Sequence, residues 1–135
     1  VMGEETARQF CRRNPNMKII GLRYSNIMEE KDYKLFKDFQ NDPYLRKWNF
    51  WGYIDSRDVG QACLLSLQSD LKGADNFIIA ANDTVMEKSN TELLNEVFPH
   101  INMKKEVGTN DTLLSIEKAK KILGFNPQYT WKNCV

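Results

Sequence analysis

Residues 17–24 read Met-Lys-Ile-Ile-Gly-Leu-Arg-Tyr, a short apolar run bounded by turn-forming residues on both sides. Asn14-Pro15 precedes the run and Ser25-Asn26 follows it. A run of this length and composition is typical of a strand buried on both faces. Because it follows an amphipathic segment, it predicts one half of an α/β unit.

On the amino-terminal side of this strand, the sequence predicts a helix over residues 1–13. Proline at position 15 stops the helical pattern, since proline cannot continue a helix and restricts the residue before it. No capping residue precedes the first residue of the pattern. We therefore expect the helix to begin upstream of Val1 and the chain to be a fragment.

On the carboxyl-terminal side, helical and strand patterns continue to alternate. Residues 30–40 indicate an amphipathic helix, and Ser56 is placed to cap a second helix that Lys72-Gly73 ends. Asp58 lies at the positive end of that helix. Residues 76–81 then indicate a second buried strand.

The last third of the chain repeats the alternation. Ser89-Asn90-Thr91-Glu92 matches the capping-box pattern of a helix start. Residues 103–107 indicate a short strand, and residues 115–123 a final helix that Gly124 closes. The whole order predicts an α/β fold with parallel strands, organised as a single α/β region over residues 1–135.

Composition limits the function. The chain has 135 residues, of which 41% are hydrophobic, and its 19 basic and 18 acidic residues leave a net charge of +1. That charge argues against nucleic acid as a partner. The sequence shows no signal segment and no apolar run of membrane-spanning length, so we expect a cytoplasmic protein without membrane contact. Three cysteines and one histidine offer no metal-binding spacing and suit reduced thiols.

The residues alone show no catalytic motif. The seven glycines are scattered, and none form a dinucleotide-binding G-x-G-x-x-G turn. The densest feature is the aromatic run from Arg46 to Tyr53, which contains Trp48, Phe50 and Trp51. Two interpretations stay open for it: a loop anchored by large side chains, or one wall of a ligand pocket.

Four stretches resemble the extended short-chain dehydrogenase/reductases of the NAD-dependent epimerase/dehydratase family, in the order and at about the spacing of that family. They span nearly the whole chain, and they are Val1-Met2-Gly3-Glu4, Leu22 to Asn26, Tyr53 to Val59, and Glu117-Lys118-Ala119 leading to Leu123 to Pro127. The resemblance implies the C-terminal portion of a Rossmann-like parallel-sheet fold with a small substrate-binding subdomain.

The resemblance also implies what the chain lacks. In the family, a segment similar to Val1-Met2-Gly3-Glu4 directly follows the lysine of the catalytic Tyr-x-x-x-Lys motif, and the glycine-rich cofactor loop lies further upstream. NAD or NADP is then the cofactor of the full-length parent protein. The fragment alone is expected to bind neither tightly and to turn over no substrate.

Family positions assign roles to several residues. Ser25 corresponds to a position whose backbone amide meets the nicotinamide carboxamide, and Asn26 to one whose side chain reaches the substrate. Arg57 either pairs locally or lines the pocket. Lys105 falls where nucleotide-sugar epimerases place an arginine on the substrate diphosphate.

Two departures from the family alter the expected substrate. Met28-Glu29-Glu30 stands where nucleotide-sugar enzymes carry Gly-Pro, and Trp51 stands where they carry a second arginine for the diphosphate. An indole removes both the charge and the bidentate geometry of that arginine. We therefore expect a sugar or related small molecule that is less phosphorylated than a nucleotide sugar, or is not a nucleotide sugar at all, with Trp48, Trp51 and Tyr53 as an apolar or sugar-stacking wall.

Other interpretations remain open at this point. The chain can be a non-catalytic module on the same fold that binds a metabolite or a protein, or an unrelated α/β domain. If the chain is a fragment that lacks its N-terminal half, the strands near residues 17–24 and 76–81 leave apolar edges uncovered. We then expect the chain to form homo-oligomers.

Overall fold

The computed structural model describes residues 2–101 and 103–134. Val1, the start of the first family-like stretch, lies outside the described residues. The helices and strands are α1 (Met2–Arg13), β1 (Lys18–Tyr24), β2 (Ile27–Met28), α2 (Phe36–Phe39), β3 (Ile54–Asp55), α3 (Ser56–Gln68), β4 (Gly73–Ile79), α4 (Asn90–Val97) and α5 (Glu117–Leu123). Short 3₁₀ helices cover Glu30–Leu35, Pro43–Asn49 and Trp131–Asn133. The α/β class predicted from the sequence is confirmed.

The strands are parallel, as the alternation of helices and strands predicts. β1 pairs with β4 from Lys18 opposite Gly73 to Tyr24 opposite Ile79, and β2 pairs with β3. The amide of Ser25 donates to the carbonyl of Ile79 at 2.9 Å, which extends the first pairing by one residue. The carboxyl ends of β1 and β4 therefore lie side by side.

Two apolar clusters hold the elements together. The first packs α3 and α5 against β4, and its buried residues are Ile54, Ala62, Phe77, Ile79, Ala119, Leu123 and Phe125. The second contains most of the large aromatic side chains and gathers the 3₁₀ helices around α4. Its largest buried members are Tyr33, Phe36, Trp51, Tyr53, Met86 and Trp131.

The helix predicted over residues 30–40 is mostly a 3₁₀ helix, with only Phe36–Phe39 in α-helical form. Tyr33, Phe36 and Phe39 recur every third residue, which matches the three-residue turn of a 3₁₀ helix better than an α-helix. That spacing places Tyr33 and Phe36 in the aromatic cluster.

The predicted start of α3 is off by one residue. Asp55, not Ser56, is the N-cap, because the Asp55 carboxylate accepts the Arg57 amide at 2.8 Å. The helix ends at Gln68, and the next strand already begins at Gly73. Gly73 has a φ of +83°, which residues with a side chain rarely adopt. It therefore turns the chain into β4 and does not end a helix.

The strand predicted over residues 103–107 does not form. These residues are exposed and irregular. Lys104, Lys105 and Glu106 at its centre leave only two apolar side chains, Met103 and Val107, and both stay exposed instead of packing against a neighbouring strand. Within residues 2–101 and 103–134, no helix has the length and apolar character needed to cross a membrane.

Candidate functional site

A cleft of about 450 Å³ lies at the carboxyl end of β1. This is where ligands bind in open α/β sheets, and the volume suits a small molecule. Its lining contains Ser25 and Asn26, which the structure brings together, and the full set is Arg23, Tyr24, Ser25, Asn26, Trp48, Asn49, Ile78 and Leu114.

The backbone amide of Ser25 is already engaged, whereas its hydroxyl is not. The amide donates to the Ile79 carbonyl, so the backbone contact to nicotinamide that the resemblance implies is already used by the sheet. The Ser25 Oγ is buried and has no hydrogen-bond partner among the described residues. A buried hydroxyl without a partner costs about 1–3 kcal/mol, which a ligand at this position would offset.

The backbone of Asn26 is held by a hydrogen bond, while its side chain makes only a weak one. Its carbonyl accepts the Ile54 amide at 2.9 Å, at the start of the β2–β3 pairing. Its Nδ2 donates to the Met28 Sδ at 3.2 Å, and a thioether is a weak acceptor. The amide is therefore fixed in position and still able to bond a ligand.

Asn49 is a cleft residue that the sequence reasoning missed. Its side chain is only 9% exposed, and its Nδ2 donates to the Gly52 carbonyl at 2.8 Å. Its Oδ1 has no partner. Its position among four large aromatic residues gave only a weak signal, because an asparagine in a loop is ordinarily a turn residue.

A strained loop holds Asn49 in the cleft lining and brings Gly52 close to Ser25. Phe50 and Trp51 have φ values of +51° and +56°. These values lie in the left-handed region, which is energetically unfavourable for residues with large side chains. Gly52 follows, and a Cβ there would lie 2.9 Å from Ser25 Oγ and 2.7 Å from Leu114 Cδ1. Only glycine therefore lets the loop approach β1 this closely.

Of the three aromatic residues predicted to form the substrate wall, only Trp48 reaches the cleft. Trp51 is fully buried and its Nε1 donates to the Pro43 carbonyl at 2.8 Å. Tyr53 is fully buried too, and its hydroxyl donates to Asp83 at 2.7 Å. Packing and satisfied hydrogen bonds draw both into the core, so the anchored-loop interpretation describes them. Trp48 is 68% exposed and lines the cleft.

Arg57 lies outside the cleft and is engaged locally. Its guanidinium makes two contacts of 2.8 Å to the Asp55 carboxylate, one of 3.1 Å to Glu30, and stacks 3.8 Å above the ring of Tyr129. Burial raises the pKa of Asp55, but hydrogen bonds from Arg57 and Tyr33 outweigh it, and the pKa lies below its usual range. These contacts fix the start of α3.

Asp58 acts as more than a charge at the positive end of α3. It is fully buried in the first turn, and its carboxylate accepts the amides of Gln128 and Tyr129 at 3.0–3.1 Å. Burial raises the pKa of Asp58 against the effect of these hydrogen bonds. The carboxylate thus ties the C-terminal segment to the helix.

Lys105 lies on a different cavity. It lines an open space of about 550 Å³ beside α4, together with Lys104 and Asn90. Asn90 is 2% exposed and its Oδ1 also lacks a partner. The structure does not bring Lys105 to the cleft of Ser25 and Asn26.

The cleft holds little free charge. Arg23 lines it, but its guanidinium pairs with both carboxylate oxygens of Glu4 at 2.7 Å. Arg46 lies behind the loop, where its Nη2 donates to the Gly52 carbonyl at 3.1 Å and its guanidinium faces the Phe39 ring. Burial lowers the pKa of Arg46. The cleft therefore presents a mainly apolar surface, which includes the Trp48 indole, with a few uncharged polar side chains.

Comparison of the chain with protein-family models, curated proteins and solved structures gave no match. Across residues 2–101 and 103–134, no group of three or more His, Cys, Asp or Glu side chains is arranged to hold a metal ion. What the cleft can do chemically follows from its own residues: it can hold a small ligand in a lining that contains Ser25, two asparagines and an indole.

Proposed function

We propose that this chain is the substrate-binding, C-terminal portion of an NAD(P)-dependent oxidoreductase resembling the epimerase/dehydratase family, acting on a sugar or related small molecule. The observation that carries the proposal is the buried, unpartnered Ser25 hydroxyl beside Asn26 at the carboxyl end of β1. Both residues belong to the stretch Leu22 to Asn26, on which the resemblance partly rests.

The polar atoms of the cleft suit the two molecules that such an enzyme brings together. The Ser25 hydroxyl can donate to or accept from the carboxamide of a nicotinamide ring, which when bound takes up or returns a hydride. Asn26 can hold a substrate hydroxyl, and Trp48 can exclude water from one side. In this proposal the catalytic tyrosine and lysine, and the loop that binds the cofactor phosphates, precede Val1.

The open edges of the sheet agree with this proposal. Among the described residues, β1 and β4 each pair along one edge only. A two-stranded parallel sheet is rarely stable alone, because parallel sheets are normally flanked by further strands. We propose that strands upstream of Val1 extend the sheet, as in a Rossmann-like fold, and that the isolated chain self-associates through these edges.

The kinetics of an Asn26 variant in the natural protein test the proposal. Reduction of NAD or NADP is measured with a panel of sugars and cyclic polyols, each with its phosphorylated form. We expect at least one member to be oxidised. With that substrate, Asn26→Ala is expected to lower kcat/KM. The decrease should correspond to a loss of about 1–3 kcal/mol of transition-state stabilisation, the cost of losing a polar contact in the site.

Asn41→Ala is the matched control, because Asn41 is an exposed residue of the turn after α2. It is expected to leave kcat/KM unchanged. If no panel member reduces either nucleotide, the oxidoreductase proposal is wrong and a non-catalytic binding module takes its place. If Asn26→Ala behaves like Asn41→Ala, Asn26 does not contact the substrate.

A further inference from the structure

The orientation of the Asn49 amide decides which atom it offers to a ligand. The Gly52 carbonyl can only accept a hydrogen bond, so the Asn49 nitrogen must face it, at 2.8 Å. The unpartnered atom is therefore the carbonyl oxygen Oδ1. A ligand satisfies this oxygen only if it brings an O–H or N–H group.

An anionic group does not fit this oxygen. The oxygens of a phosphate dianion or a carboxylate carry lone pairs and negative charge but no hydrogen to donate, so they would repel Oδ1. Arg23 is the one cationic side chain in the described lining, and Glu4 already neutralises it. An anion entering the cleft would lose its hydration and gain no free cation.

Trp48 offers a flat apolar surface beside this acceptor. Trp48 is 68% exposed and belongs to the cleft lining, and the Arg46 guanidinium lies over its ring, 5.6 Å from the centroid. A ring with C–H groups on its face and hydroxyls on its edge can stack on the indole and donate to Asn49 together. The cleft volume of about 450 Å³ holds a ring of that size.

We infer that the cleft selects an uncharged polyhydroxylated ring, an unphosphorylated sugar or a cyclic polyol, and that Asn49 and Trp48 are the residues that select it. The inference rests on the proposed function, since it specifies the substrate of the same cleft. Asn49 accepts a ring hydroxyl, and Trp48 packs against the ring face.

Fluorine NMR of the natural protein tests this selection without requiring turnover. The tryptophans are replaced by 5-fluorotryptophan, and the Trp48 signal is identified by its loss in Trp48→Phe. D-glucose, D-galactose, D-mannose and myo-inositol are titrated, each against its monophosphate. We expect at least one uncharged ring to shift the Trp48 signal, and its monophosphate to bind at least about ten-fold more weakly. The buried Trp51 and Trp131 are internal references and should not move.

Asn49→Ala tests the selecting residue directly. It is expected to raise the Kd of the bound ring about ten-fold, while Asn41→Ala leaves the Kd unchanged. Unchanged Trp51 and Trp131 signals show that the variant is folded. If Asn49→Ala does not fold, the affinities of each ring and its monophosphate for the protein with Asn49 intact still test whether the cleft selects uncharged rings.

The outcomes separate this inference from the proposed function. No shift of Trp48 with any uncharged ring, or tighter binding of the monophosphates, overturns the inference. An unchanged Kd in a folded Asn49→Ala variant removes Asn49 from the selection. If the monophosphates bind better and are oxidised with NAD or NADP, the oxidoreductase proposal survives and this inference fails. If uncharged rings bind at Trp48 but reduce neither nucleotide, the inference survives and the oxidoreductase proposal fails.

Discussion

Two halves of one short segment, residues 46–53, differ in how their polar atoms are satisfied. On the core side, the Trp51 indole and the Tyr53 hydroxyl are fully buried, and each donates a hydrogen bond to a protein acceptor. On the cleft side, Trp48 is largely exposed and Asn49 keeps a buried oxygen without a partner. Two or three residues along the chain separate an anchor in the core from a residue that lines the cleft.

The difference shows why aromatic density alone does not identify a binding wall. Large side chains with complete hydrogen bonding stabilise the fold, because the protein itself meets every requirement of their polar groups. An unmet polar atom in a cleft lowers the stability of the free protein and marks a place where a ligand gains free energy. The presence or absence of a hydrogen-bond partner separates the two roles where the sequence pattern does not.

The largest expected effect on stability contrasts Trp51 with Trp48, the two tryptophans of residues 46–53. Trp51→Ala leaves a cavity in the aromatic cluster and removes a buried hydrogen bond, and we expect it to lower the free energy of unfolding by about 3–5 kcal/mol. Trp48→Ala should lower it by less than about 1 kcal/mol, because the side chain is largely exposed. Urea unfolding followed by circular dichroism measures both. Equal losses would contradict the division of this segment into a core side and a cleft side.

The next effect concerns the close approach of the loop to β1. Gly52→Ala places a Cβ against Ser25 and Leu114 and is expected to cost about 1–3 kcal/mol. Gly60→Ala is the control, because a Cβ at Gly60 in α3 meets no atom within 4 Å. It should stabilise the helix by about 0.5–1 kcal/mol. Thermal unfolding distinguishes these opposite signs, and a neutral Gly52→Ala would show that the loop is not closely packed.

A smaller effect compares two serine hydroxyls. Ser89 caps α4, where its hydroxyl accepts the Glu92 amide, and Ser89→Ala should cost about 1 kcal/mol. Ser25→Ala removes a hydroxyl that has no partner, so we expect no loss of stability. The midpoints of urea unfolding decide the matter. A loss of 1 kcal/mol or more at Ser25 would mean that its hydroxyl is satisfied in the free protein.

The smallest effect concerns two buried aspartates at the start of α3, the N-cap residue Asp55 and Asp58 in the first turn. Because the pKa of Asp55 is lowered in the folded protein, its ionised form contributes stability above the unfolded-state pKa of about 3.9, and this is lost as the pH falls. The pKa of Asp58 is raised, so its contribution is present below about pH 3.9 and is lost as the pH rises.

Unfolding free energies between about pH 3 and 7 check these signs. The stability gap between wild type and Asp55→Asn should narrow as the pH falls, and the gap to Asp58→Asn should widen. Glu5→Gln, in an exposed pair with Arg8, is the control and should show little change. Gaps that move in the same direction for both aspartates would contradict the assigned partners.

Much of the fold could be predicted from local patterns. β1, α1 and the capping box at Ser89 follow from spacing and capping residues, which depend on the chain within a few positions. The strand expected over residues 103–107 was wrong, because a strand needs a partner that local sequence does not specify. The start of α3 was missed by one residue because Asp55 and Ser56 are both good caps.

The site was predictable only in part. Ser25 and Asn26 could be placed, because the residues after a parallel strand lie at its carboxyl end. Asn49 could not, since it reaches the cleft through two left-handed residues and a glycine that let the loop approach β1. The division between Trp48 and Trp51 was equally hidden. It depends on the Pro43 carbonyl, eight residues from Trp51, being available to the indole.

The residues that precede Val1 in the natural protein test the central claim most directly. The upstream transcript, together with the intact mass of the natural protein, gives them. We predict Tyr-x-x-x-Lys ending immediately before Val1, with a glycine-rich dinucleotide turn further upstream. A natural chain that begins at Val1, or one that lacks the tyrosine and lysine, would contradict the assignment of this cleft to an NAD(P)-dependent oxidoreductase.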